Sequence, residues 1–225
     1  MASGALYCNV SFCGADLLAR VRILLKCGRK TTPMNSPYNG PIFVTDIDET
    51  LRNNHTTPRT VIPGALEILT KVAEMGVPIV YLTAASVQWR TYNIHFLYAF
   101  PQGLLLDRPE NDTRPNMYYK QHWLQEIRIA YPNATLVCMG DNETHDALAY
   151  QLCGGGSFVR KVREWTEANS PNIDSNAMLS YTEYSDHVKK EIFAILEKLR
   201  PIATGIGPIY IEGHGVLVGH APFVP

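Results

Sequence analysis

Between residues 41 and 162 short apolar runs alternate with stretches of helical period. The runs are IFVTD (42–46), VPIVYLT (77–83), GLLL (103–106), ATLVCMG (134–140) and SFVRKV (157–162). Runs this short and apolar, separated by helices, predict strands buried on both faces of a parallel sheet. Pro63–Ala73, Ser86–Ala99, Tyr119–Ala130 and Thr144–Leu152 read as the intervening helices. Pro63 opens the first and Gly76 closes it, and Ser86 is placed to cap the second. With right-handed crossovers the alternation gives a three-layer, doubly wound α/β fold with a mainly parallel sheet.

The flanks follow other rules. Residues 14–27 carry Leu17, Leu18, Val21, Leu24 and Leu25 at helical spacing, an amphipathic helix that either packs on the core or lies on a membrane surface or partner. A Pro/Asn/Ser-rich linker follows. Beyond residue 163 the rhythm fails: a polar stretch, a charged helix over Glu183–Leu199, then an irregular tail. The expected organisation is an N-terminal helix and linker (1–40), a catalytic core (41–163) and a helix with a tail packed on it (164–225).

Composition narrows the class. The chain has 225 residues, 46% hydrophobic and 18% charged, with a formal net charge of −1. That is a globular chain without the basic excess of a nucleic-acid binder. Five cysteines, an odd number with no CxxC pair, support neither a disulfide framework nor a zinc knuckle, and Cys138 reads as a buried thiol. No signal-peptide pattern opens the chain and no apolar run is long enough to span a bilayer. A reducing, cytoplasmic setting is expected, with peripheral membrane contact left open.

Ligands of open α/β sheets bind beyond the carboxyl ends of the strands. Those ends read Thr45-Asp46-Ile47-Asp48-Glu49-Thr50, Thr83-Ala84-Ala85-Ser86 and Gly140-Asp141-Asn142-Glu143-Thr144-His145-Asp146, and Lys120 is expected to open the helix after the third strand. The topology brings all four segments to one edge. Carboxylates from two strand ends form an oxygen-rich site suited to Mg²⁺. A carboxylate nucleophile with a metal, a lysine and a hydroxyl is a set for phosphoryl transfer, because the cations offset the charge that would repel the attack. An acid two residues on can protonate the leaving oxygen and then take a proton from water. Asp46 would be the ionised group, Asp48 the one free to exchange a proton. Arg52, Arg59, Arg90 and Arg108 each read as solvated, with a place at the mouth as the alternative. Trp89 and Trp123 read as core or rim packing.

DIDETL, the YLTAAS strand end, Lys120 and GDNETHD resemble, in order and spacing, the four motifs of the haloacid dehalogenase superfamily. The run PQGLLL, then Tyr119-Lys120, then Pro132 and GDxxxxD with Tyr150 narrow the resemblance to the catalytic domain of lipins and fungal-type phosphatidate phosphatases. Glu49 stands where that family often has Gly or Asp, Asn142 replaces a Ser, and Gln102 precedes a GLLL lacking the family's Pro. The resemblance implies Asp46 as nucleophile and Mg²⁺ ligand. Asp48 would be general acid/base, with its backbone carbonyl on the metal, and Asp141 a further ligand. Thr83 and Lys120 would bind the phosphate, as would the N–H groups of Ile47 and Ala84. Asp146, Asn142 and Thr50 would be supporting residues.

Specificity in that superfamily comes from cap insertions, and here they are short. Residues 52–63 suffice for a small hairpin flap, and 107–119 are too few for a domain. An open site favours a bulky substrate: a phosphoprotein side chain, phosphotyrosine included, or a phosphatidate-like lipid. The competing reading is a non-catalytic phosphate- or partner-binding module that kept the fold. A mutase would need a second acceptor site that nothing here suggests, and a dehalogenase would not need Asp48.

Overall fold

The computed structural model describes residues 38–143, 146–151, 156–163, 178–199, 209, 211 and 214–220. Strand β1 (Pro41–Thr45) leads into a two-stranded antiparallel hairpin, β2 (Arg52–Asn53) and β3 (Thr60–Val61). Then follow α1 (Ala65–Glu74), β4 (Ile79–Ser86), α2 (Arg90–Leu97), β5 (Gly103–Arg108), α3 (Asn116–Ala130), β6 (Thr135–Asp141), α4 (Asp146–Tyr150), β7 (Ser157–Arg160), β8 (Met178–Tyr181), α5 (Asp186–Leu199) and β9 (Val216–Val218). The large sheet runs β8-β7-β6-β1-β4-β5-β9. Every pairing in it is parallel except β5 with β9.

The apolar runs are continuous because both sheet faces are covered. Phe43, Tyr81, Leu105, Val137 and Phe158 face one core with Ile68, Leu69 and Val72 of α1 and Val188, Ile192 and Leu196 of α5. Their neighbours Ile42, Val44, Leu82, Leu104, Leu106 and Cys138 face a second core with Trp123, Leu124 and Ile127 of α3 and Ala149 and Tyr150 of α4. The chain winds outward from β1 through β4 to β5, then returns to the other side of β1 with β6. The strand order reverses there, and a reversal of this kind opens a crevice at the carboxyl edge. The hairpin at 52–61 has the size and place expected of the flap.

Several expectations change. The sheet continues past residue 163: β8 extends it beside β7, and β9 closes the far edge antiparallel. Ser86 does not cap α2 with its side chain, because β4 runs on through Ser86, which pairs with Arg108. The third helix begins at Asn116, so Lys120 lies in its second turn and does not open it. Trp89 is 50% exposed, outside the core, while Trp123 is buried. Cys138 is a buried free thiol. The 14–27 helix, the other four cysteines, Thr144 and His145 lie outside the described residues. Among those described, no helix is long and apolar enough to cross a membrane.

Candidate active site

The Asp46 N–H donates to the Met139 carbonyl at 2.9 Å, tying the end of β1 to β6. The chain then turns sharply: Leu51 and Arg52 donate their N–H groups to the Ile47 carbonyl, and Glu49 adopts a left-handed φ of 55°. That conformation is one that Gly, Asn and Asp adopt more readily than Glu. The turn is held from below by the Tyr184 hydroxyl on the Thr50 carbonyl (2.7 Å) and the Arg160 guanidinium on the Glu49 carbonyl (2.8 Å).

Four residues from three elements and the β1 end meet in this turn. Lys120 is 1% exposed. Its Nζ donates to Asp46 Oδ1 at 2.8 Å and also to Asp146 Oδ1. Asp146, at the start of α4, accepts the Asp141 N–H at 3.3 Å and the Tyr150 hydroxyl at 3.4 Å. Gly140 makes room for that pair: a Cβ there would collide with Asp146 Oδ2 and with the Tyr150 hydroxyl, 2.8 Å away. Asp141 Oδ1 accepts the Glu143 N–H at 2.5 Å, while its Oδ2 is buried with no protein partner. Asp46, Asp141 and Asp146 each offer one carboxylate oxygen, all within 4.8 Å of one another. Thr50 Oγ1 lies 3.5 Å from Asp46 Oδ2.

Three carboxylates face one ammonium, so the fully ionised cluster carries a net charge of −2 in a dry setting. The proton affinities register this. Burial, with Asp146 and Asp48 adding to it and Lys120 opposing, pushes the Asp46 carboxyl from 3.8 up to about 7. Burial also pushes Asp141 well up, reinforced by Asp146 and Asp46. Burial alone would lower the Lys120 ammonium, but Asp146, Asp46 and Asp141 together outweigh it and raise it above an ordinary lysine. The site holds its lysine charged and lacks positive charge for its acids.

The remaining expected residues divide. Thr83 is buried on β4, two residues past the Tyr81–Thr45 pair and so level with Ile47; its Oγ1 accepts the Ala85 N–H at 3.1 Å. Ile47 is buried and Ala84 partly buried at the same edge. The Asp48 carboxylate stands apart from the three-acid group. Its Oδ1 takes Arg52 Nε (3.1 Å), Arg52 NH2 and Asn54 Nδ2 (2.7 Å). Asn142 spends its side chain on the following loop, accepting the Val162 N–H (2.7 Å) and donating to the Arg163 carbonyl (2.6 Å).

Arg52 is 2% exposed, which corrects its expected solvated place: Asp48, Asn54 and Asn93 take its donors, and the rings of Tyr92 and Phe96 lie 4.8 and 5.1 Å from its guanidinium carbon. Arg90 is paired with Asp107 (2.7 Å). A second acidic group, Glu49 and Glu143 with His55, joins the flap to the loop after β6, but Arg160 already sits 3.6 Å from Glu49. Its position four residues after Asp48 is the sequence signal for this pairing, which the solvated reading left unused.

Two solved structures, each of a Pnkp1/Rnl/Hen1 complex, one described as an RNA repair complex, overlap the chain. They do so at 15% and 18% identity with TM-scores of 0.49 and 0.48, over 64% of this chain. The chain spans about half the length of those chains (53% and 49%). No curated protein matches significantly. The family model for the catalytic domain of the phosphatidate phosphatase APP1 matches residues 42–154, which include Asp46, Asp48, Thr83, Lys120, Asp141 and Asp146. With these residues inside a match that covers half the chain, on a mainly parallel α/β sheet, the chain belongs to the family of the phosphatidate phosphatase APP1 catalytic domain.

Proposed function

We propose that the chain is an Mg²⁺-dependent phosphomonoesterase that removes phosphate from a phosphatidate-like lipid through an aspartyl-phosphate on Asp46. The observation that carries this is the Lys120 bridge between Asp46 and Asp146 beside the unpartnered Asp141 Oδ2. A purely structural ion pair would not leave a buried carboxylate oxygen without a donor. The donor set fits a hard divalent cation: three oxygens close together, and a deficit of two positive charges. Asp46 and Asp141 would hold the ion with the Asp48 carbonyl, and when bound it offsets the charge of the phosphoryl group.

The chain's own groups supply the rest. Asp46 attacks phosphorus, a phosphorus–oxygen bond forms, and the ester bond to the alcohol breaks. The Asp48 carboxyl gives its proton to the departing alkoxide. A water then attacks the acyl phosphate, yields a proton to the Asp48 carboxylate, and frees Asp46 and inorganic phosphate. Lys120 fixes the Asp46 rotamer and holds positive charge beside the reacting group. Because only Oδ1 of Asp48 is occupied by Arg52 and Asn54, the other oxygen is the one left to carry the proton. Thr83 stands at the edge where a phosphate oxygen would be met.

The test is hydrolysis of p-nitrophenyl phosphate and of dispersed short-chain phosphatidate. Both should require Mg²⁺, stop reversibly in EDTA and vanish in Asp46→Asn. Turnover in Asp46→Asn at the wild-type rate would overturn the assignment. No turnover of either substrate by the wild type would favour the binding-module reading.

A further inference from the structure

We propose that the flap hairpin and the start of α2 form one surface that seats the site on an anionic phospholipid bilayer; this rests on the lipid-phosphate reading above. The large apolar side chains left exposed among the described residues are not spread evenly. Val61, Leu66, Trp89, Tyr92 and Tyr118 belong to the flap, to the first residues of α1, α2 and α3 or, for Trp89, to the turn that leads into α2, at the carboxyl edge of the sheet where Asp46 lies. Only Tyr98 and Ile129, at the far ends of α2 and α3, lie elsewhere.

Two of these residues form a unit with a cation. Trp89 and Tyr92 meet edge to face, centroids 6.2 Å apart. The Arg59 guanidinium lies 5.5 Å from the Trp89 centroid and 5.6 Å from that of Tyr92, joining the flap to α2. Aromatic rings carrying a guanidinium suit the headgroup layer, where the ring body meets acyl chain and the charge meets phosphate.

Charge gives the surface its partner. The chain as a whole is balanced, yet residues 52–64 and 86–100 contain no Asp or Glu, and they carry Arg52, Arg59 and Arg90. Arg52 and Arg90 are engaged by Asp48 and Asp107, and the neighbouring Glu110 is held on Gln88 at 2.9 Å. Glu110 keeps its charge on that hydrogen bond, but the cation in contact with the exposed aromatics is Arg59, a composition suited to an interfacial surface facing anionic lipid. The geometry adds a reason: Tyr92 also covers Arg52, which grips Asp48. The same ring that would touch lipid backs the acid/base group.

Co-sedimentation of the full chain tests this with vesicles of phosphatidylcholine alone and of phosphatidylcholine doped with phosphatidylserine. Binding should be stronger to the anionic vesicles and weaken with salt. Trp89→Ala and Arg59→Ala should each lower partitioning by about tenfold. Hydrolysis of phosphatidate in vesicles should fall with Trp89→Ala by a similar factor, while p-nitrophenyl phosphate turnover stays at the wild-type rate. Unchanged vesicle binding in both variants would overturn the proposal. So would wild type that hydrolyses soluble substrates but ignores anionic vesicles; that result assigns the surface to a protein partner. Loss of all turnover in the wild type would instead strike the proposed function and leave the vesicle result to stand alone.

Discussion

In the absence of metal, neutralising Asp46 should stabilise the protein, although Asp46 forms a 2.8 Å ion pair with Lys120. Lys120 is shared with Asp146, and Asp46 is 3% exposed. Its carboxyl therefore sits at about 7 in the fold against 3.8 in an ordinary setting. A carboxyl whose folded value is raised favours the fold while both states are protonated, below about pH 4. That contribution is lost as pH rises through 7. A gap of about three pH units corresponds to about 4 kcal/mol if Asp46 bears all of it, and less where the proton is shared with Asp141. Taking half, about 2 kcal/mol, the melting temperature of Asp46→Asn in EDTA at pH 8 should exceed wild type by about 4–8 °C. The gap should shrink toward zero near pH 4. Mg²⁺ should raise the wild type and close or reverse the gap at pH 8. Thermal unfolding followed by circular dichroism from pH 4 to 8, with EDTA and with Mg²⁺, reads all three effects. A variant less stable than wild type at pH 8 in EDTA, or a difference that does not vary with pH, would refute the claim that burial outweighs Lys120 here.

Other substitutions probe the remaining parts. Arg52→Ala strips two donors from Asp48 and should cost about 10²–10³-fold with alkyl phosphates, whose leaving group needs a proton. With p-nitrophenyl phosphate it should show a burst of nitrophenol followed by slow turnover; equal losses on both substrates would mean that Arg52 serves only the fold. Lys120→Met leaves three buried carboxylates without their ammonium, and should abolish turnover and destabilise the metal-free protein by about 3–5 kcal/mol in urea unfolding at pH 8. A metal-free stability equal to wild type would count against the charge accounting. Gly140→Ala drives a methyl group into Asp146 and Tyr150. It should lower both kcat and the urea midpoint, and a fully active, equally stable variant would contradict the observed packing.

The candidate site was legible because its chemistry sits at strand ends. Asp46, Asp141 and Asp146 follow continuous apolar runs, and such runs in a βα alternation send their carboxyl ends to one edge. Lys120 was legible through its motif, although its helix starts earlier than the pattern suggested. Charged residues that the fold buries were harder. Arginine is normally exposed, so Arg52 reads as solvated until Asp48, Asn54 and Asn93 are seen to take its donors. The missed strands have a related cause. β9 is three residues long at a sheet edge, and β8 follows a polar stretch with no helical signal before it. Strand detection rests on apolar runs, and short edge strands offer too few positions to make one. Ser86 misled because hydroxyl residues suit both caps and strand ends, and its pairing with Arg108 settled the choice.

The central claim is that Asp46 carries the phosphoryl group. Incubation with phosphatidate labelled in its phosphate, followed by acid quench and peptide mapping, measures this directly. The account predicts a hydroxylamine-labile label on the peptide containing Asp46; in Asp48→Asn that label should fall with phosphatidate, whose alkoxide needs a proton, and phosphate should accumulate on Asp46 only from an activated ester such as p-nitrophenyl phosphate. Phosphate release at the wild-type rate from Asp46→Asn, or a label on another residue, would contradict it.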